Sequence, residues 1–299
     1  MKIPKIPFMY LLYKSSTMKR MLLSLLLVFL ITGIFAKETK AQQNKNLNIS
    51  FLLDLSDRID PKKNPDFYQR DLGNIKTIET AFLNHVKGKK IMLLKDQMQV
   101  FFDPIPKITN INQMSQQLKV SFDPKTSKKD ILSVDNIYTQ VSLKIYQHTI
   151  KHGRYIGSDI WKFFKNNVQD YCIKEQHRNI LIILTDGYIY HQDSKFLDKG
   201  KSSYITPAFI QSQKLTTADY RTIMKKNNLG FIPATDNLQN LEVVVLGINP
   251  SKQSPYEEDV IKQYWTDWLK AMKVNKFYLK TADLPANLAP VLQKIILER

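Results

Sequence analysis

Short apolar runs of strand length alternate along this chain with longer segments whose apolar residues recur at helical spacing. Residues 48–55, inside "NISFLLDLSDRID" (48–60), form a continuous apolar run, the mark of a strand buried on both faces. Asn64-Pro65 then predicts a helix start, with Leu72, Ile75, Ile78, Phe82 and Val86 as one stripe and Gly88 as its stop. "KIMLLKDQMQVFF" (90–102) reads as two strand-like runs around Lys95-Asp96-Gln97, a hairpin closed by Pro104 and Pro106. Ser127 is placed to cap a helix running to about His152.

A glycine-bearing loop at 153–158 precedes a helix expected over 159–175. "NILIILTDG" (179–187) is a second buried strand, and 188–240 a long irregular segment with a short helix near 217–227. "LEVVVLGINP" (241–250) is a third buried strand, 256–272 an amphipathic helix carrying Trp265 and Trp268, "KFYLK" (276–280) a last strand and 286–298 a closing helix. This order predicts an α/β fold with a doubly wound, mostly parallel sheet, helices on both faces and one antiparallel edge hairpin. With no internal repeat or break in composition, residues 42–299 read as one domain with a long insertion at about 188–240.

Ahead of it, Met18-Lys19-Arg20 leads into "MLLSLLLVFLITGIFA" (21–36) and then "KETKAQQNK" (37–45). The basic start, the apolar run and the following polar stretch read as a secretory signal peptide over 1–41, cleaved after Ala41, with Met18 as an alternative start. The apolar run falls short of the roughly 20 residues of a membrane-crossing helix, so a retained anchor is the second reading. The expected location is therefore periplasmic, cell-surface or secreted, with no stable membrane span after cleavage. Cys172 is the sole cysteine, so no disulfide forms within the chain.

The net charge is +17, and residues 42–299 keep +11 once seven Lys/Arg and one Asp/Glu of residues 1–41 are set aside. Lysines scattered without interleaved aromatics, in an exported chain, argue against nucleic acid. An anionic envelope or surface component, an acidic protein, or simply a solvated surface fits the charge better.

Ligands of doubly wound sheets bind at the carboxyl ends of the strands. Three groups fall there: Asp54, Ser56 and Arg58 after the first strand, Ser158 and Asp159 before the helix at 159, and Asp186 after the strand 179–184. Each has an ordinary explanation alone, as a polar strand end, a helix cap or a turn; together they occupy one sheet edge.

These residues resemble the von Willebrand factor A domains and their metal-ion-dependent adhesion site. Asp54 and Ser56 match the first two positions of its Asp-x-Ser-x-Ser loop, Ser158 in "IGSDIWKFF" stands at the Thr position, and Asp186 in "TDG" at the last. The resemblance spans about residues 48–298 and implies a Rossmann-like fold, a divalent cation such as Mg²⁺ on Asp54, Ser56, Ser158 and Asp186, and a protein partner whose acidic side chain completes the coordination.

Arg58 departs from that pattern, standing where a second Ser would ligate the metal, and a guanidinium offers a cation no acceptor. Either Arg58 swings outward and leaves a reduced metal site, or its guanidinium replaces the ion, bonding Asp54 and Asp186. Asp57, Asp60 and Asp159 are further acids nearby, most simply solvated. Asp159, Tyr188, Tyr190 and His191 are candidate partner contacts, since long loops at a ligand edge carry function disproportionately.

The reading that follows is a non-enzymatic exported binding or adhesion module. The alternatives are a phosphatase-like hydrolase using Asp54 and a structural subunit of an envelope assembly. The hydrolase lacks an acid at position 56, a Gly-x-Ser-x-Gly elbow and a His-Glu-x-x-His pair, and His148 and His152 read as an exposed helical pair.

Overall fold

The computed structural model describes residues 45–298 apart from 108, 154, 156 and 252; the expected signal peptide lies outside them. Asn46–Glu298 form one compact unit, and no helix among the described residues is long and apolar enough to cross a membrane.

Strand β1 (Asn46–Leu53) leads through a 3-10 turn at Asp57–Ile59 into helix α1 (Phe67–Lys87). After it come β2 (Gln97–Phe101), α2 (Thr109–Gln117), β3 (Val120–Ser121) and α3 (Lys128–His152). Two short helices, α4 (Ile160–Asn166) and α5 (Val168–Cys172), precede β4 (His177–Leu184). The 188–240 segment holds β5 (Leu197–Asp198), β6 (Lys201–Ser202), α6 (Pro207–Ser212), α7 (Tyr220–Lys226) and β7 (Gly230–Phe231). The chain closes with β8 (Leu241–Ile248), α8 (Glu257–Ala271), β9 (Lys276–Thr281) and α9 (Pro285–Leu297).

The main sheet has the order β3-β2-β1-β4-β8-β9, parallel throughout except for β3. Its central strands are buried on both faces because successive side chains alternate. Ile180, Ile182 and Leu184 of β4 meet α1, α3 and α9 on one side, while Leu181 and Ile183 meet α4, α5, α8 and the insertion on the other. Trp265 and Trp268 are fully buried on that second side.

Several expectations need correcting. The hairpin at 90–102 does not form: Ile91–Leu93 make a 3-10 turn and only β2 is a strand. The antiparallel edge comes from β3, two residues paired with Gln97 and Met98 after the α2 excursion. β2 itself lies parallel to β1 and is reached through the crossover helix α1. The helix at 159–175 breaks at Asn167 into α4 and α5. Asn64 does not cap α1; its side chain donates to the Arg58 carbonyl (3.0 Å) and the helix begins at Phe67. The 188–240 segment is ordered by its own three-stranded sheet and buries Ile205, Ile210, Leu215 and Leu238 against α8 and β8, so its apolar residues complete the core.

Candidate functional site

β1 runs one step past its last sheet residue, the Asp54 N–H donating to the Leu184 carbonyl (3.1 Å). That pairing sets Asp54 beside the end of β4, where the Thr185 hydroxyl donates to Asp54 Oδ2 (2.8 Å). The other carboxylate oxygen accepts from the Ser56 backbone N–H (3.0 Å), which folds the loop back over the strand end.

Arg58 is directed inward. It is 5% exposed, and its Nε donates to the Asp54 carbonyl (3.0 Å) and lies 3.5 Å from Asp54 Oδ2. Nη2 donates to Asp71 Oδ2 (2.5 Å) and to the Leu184 carbonyl (2.8 Å). Asp71 comes from α1, and the same oxygen accepts from the Tyr146 hydroxyl of α3 (2.8 Å). One guanidinium thereby joins the first loop, the end of β4 and α1, with α3 bonded behind it. Burial opposes its charge, but Asp71 and then Asp54 outweigh burial and hold the guanidinium above its ordinary pKa. Burial pushes Asp71 up, and the attraction of Arg58 pulls it back only in part.

The partner of Arg58 on the far side is therefore Asp71, where the sequence pointed to Asp186. Asp186 accepts from the Tyr188 N–H (3.1 Å) and is pushed up to about 7 by burial and then by Asp54. The turn after it needs glycine: Gly187 has φ +95°, and a Cβ there would fall 2.8 Å from Ile261. The Trp265 indole donates to the Gly187 carbonyl (2.9 Å), fastening the turn to α8.

Ser158 is 5% exposed, its hydroxyl is without a hydrogen-bond partner, and its backbone bridges to Tyr190. Asp159 is buried and cannot face a partner, because its carboxylate is spent as the α4 cap. It accepts from the Lys162 N–H (3.0 Å) and the Ser194 hydroxyl (2.5 Å), with His191 Nδ1 at 3.5 Å. The reading of Asp159 as a solvated acid is corrected by the same contacts. The Tyr188 hydroxyl donates to Glu257 (2.7 Å) and accepts from the Ser251 N–H (2.9 Å), while Tyr190 is exposed. Asp57 is exposed and paired with Lys63, Asp60 accepts from the Lys62 N–H (2.9 Å), and Ser56 is half-buried. Among the described residues no group of three or more His, Cys, Asp or Glu is arranged to hold a metal ion.

Sequence reasoning missed Asp71, Tyr146 and Thr185. Asp71 carried a signal: it falls on the stripe that Ile75, Ile78 and Phe82 continue, and an acid on a buried stripe requires a partner.

No protein-family profile matches the chain, and no curated protein matches it. Among solved structures, the crystal structure of the pilus adhesin SpaC from Lactobacillus rhamnosus GG aligns with a TM-score of 0.36 at 12% identity, over 85% of this chain and 30% of that one. The chain thus spans less than a third of that adhesin's length.

Proposed function

We propose that this chain is an exported, non-enzymatic protein-binding module that meets its partner at the carboxyl edge of the main sheet, with Arg58 holding the first loop in place of a metal ion. The observation that carries this reading is the Arg58 guanidinium itself, bonded at once to Asp54, Asp71 and the Leu184 carbonyl. The connection a cation would make between loops is supplied by hydrogen bonds and ion pairs of a cation tethered to the chain.

A divalent cation on Asp54, Ser56, Ser158 and Asp186 fits these residues poorly. Two unit charges about 4 Å apart cost roughly 4 kcal/mol at an effective dielectric of 20, so a divalent ion beside the guanidinium faces about twice that. Asp54 is moreover already engaged through both oxygens. With no ion to receive an acidic side chain, the rim around Asp186 and Ser56 suits a basic or hydrogen-bond-donating group of the partner, with Tyr190 beside it as an exposed aromatic contact.

Residues 42–299, immobilised in EDTA and exposed to envelope extract, should retain a specific protein, and Asp186→Ala should release it. Capture that requires added Mg²⁺ contradicts the metal-free reading, and capture indifferent to Asp186→Ala points to a purely structural role. Turnover of a phosphate ester that vanishes in Asp54→Asn would establish the hydrolase instead.

A further inference from the structure

The opposite end of the sheet presents a feature the site does not use. Ile91, Met92 and Leu93 lie consecutively in a 3-10 turn and are 51%, 80% and 43% exposed. Three adjacent large apolar side chains in water are unusual for a soluble protein. The turn does not need them. Its backbone is closed by the Leu93 N–H to the Lys90 carbonyl (2.9 Å) and the Leu94 N–H to the Ile91 carbonyl (3.1 Å), and it is anchored by buried Leu94 and Asp96.

Around this end of the sheet the exposed charge is mostly positive: Lys90 and Lys95 flank the turn, with Lys87 and Lys174 further out and Glu175 and Asp123 as the acids among them. Lys89 is spent internally, donating to Asp96 (2.8 Å) and to Asn46 (2.5 Å). Those bonds, with the Lys95 N–H on the same Asn46 oxygen (3.0 Å), fasten the tip to the first residue of β1. The chain therefore enters the sheet beside the tip. The eight residues of β1 separate this end from Asp54 by about 25 Å at roughly 3.3 Å per residue.

We propose that the Ile91–Leu93 tip and its lysine collar form a membrane-docking surface that takes an anionic phospholipid bilayer, the apolar side chains entering the headgroup boundary and the lysines pairing with lipid phosphates. Apolar insertion combined with basic residues is the chemistry of interfacial anchoring. Charge complementarity selects an anionic lipid surface over other occupants. The carboxyl edge with Asp186 then faces away from the membrane.

Co-sedimentation of residues 42–299, whose core is complete within Asn46–Glu298, with phosphatidylcholine vesicles containing or lacking phosphatidylglycerol tests this, with the full chain run alongside. Binding is expected only to the anionic vesicles, weakened about fivefold per lysine replaced in Lys90→Gln and Lys95→Gln. The double change Met92→Asp, Leu93→Asp should reduce it to the neutral-vesicle background without lowering the melting temperature. A fluorophore on Met92→Cys, specific because Cys172 is buried, should become shielded from an aqueous quencher on adding those vesicles. Binding unaffected by the tip changes, no binding to anionic vesicles, or binding by the full chain alone overturns the proposal. So does a dimer in vesicle-free solution that Met92→Asp dissociates, since a second copy would then be the occupant.

Discussion

Arg58 shows how a single side chain changes what a loop requires. A guanidinium cannot shed its charge inside a protein, so its burial is tolerable only with carboxylate and carbonyl acceptors around it, and Asp54, Asp71 and the Leu184 carbonyl provide them. The cost of breaking this set depends on which member is removed. Asp71→Ala leaves the buried guanidinium without its nearest carboxylate and should destabilise by about 3–5 kcal/mol in urea unfolding. Tyr146→Phe removes one neutral donor from Asp71 and should cost about 1 kcal/mol. Equal effects of the two substitutions would contradict the ion-pair account. Asp54 and Arg58 were legible in the sequence because a polar pair follows an apolar run. The stripe of α1 marks Asp71 as a buried acid, but its pairing with Arg58 stayed hidden, because that partner sits 13 residues back, on the far side of a loop whose path only the fold determines.

At the scale of elements, Asp103 joins the end of β2 to α4. Its carbonyl accepts from the Asp159 N–H (2.7 Å) and its carboxylate from the Asn167 amide (3.2 Å). Burial, then Asp159, pushes this carboxyl up to about 6 from its ordinary 3.8. The folded state accordingly holds the proton more tightly than the unfolded chain, and stability contributed at acid pH is lost as pH rises from about 4 through 6. Asp103→Asn should remove that loss, raising stability at pH 8 by on the order of 2 kcal/mol relative to pH 4. A constant difference between variant and wild type across that range would refute it. The long elements could be read directly, since two-sided burial makes β4 and β8 near-continuous apolar runs, β1 ends in the apolar Phe51–Leu53 despite its buried Asn48 and Ser50, and Ser127 caps α3 through the Asp130 N–H (3.1 Å). The short ones could not. β3, β5, β6 and β7 have two residues each, too few for any periodicity, and their pairing depends on contacts distant in sequence. The apolar run 91–94 misled for a different reason: Ile91–Leu93 are apolar without being buried, so their pattern imitates a strand.

The described residues have two dissimilar ends joined by the mostly parallel main sheet. One is acidic and hydroxyl-rich around Asp54 and Asp186, closed by an internal cation; the other is apolar and lysine-rich around Met92. A net charge of +11 over residues 42–299 suits the second end more than the first. Whether the first end needs a metal decides how its loops are held. A ligand that binds only the folded state raises its stability, so melting curves report binding without knowledge of the partner. The deciding measurement is the melting temperature of residues 42–299 in EDTA and in excess Mg²⁺, Ca²⁺ or Mn²⁺, for the wild type and for Arg58→Ser. The wild type should show no shift, and Arg58→Ser should melt lower and regain stability only with metal. A metal-dependent rise in the wild type would contradict Arg58 as the resident cation.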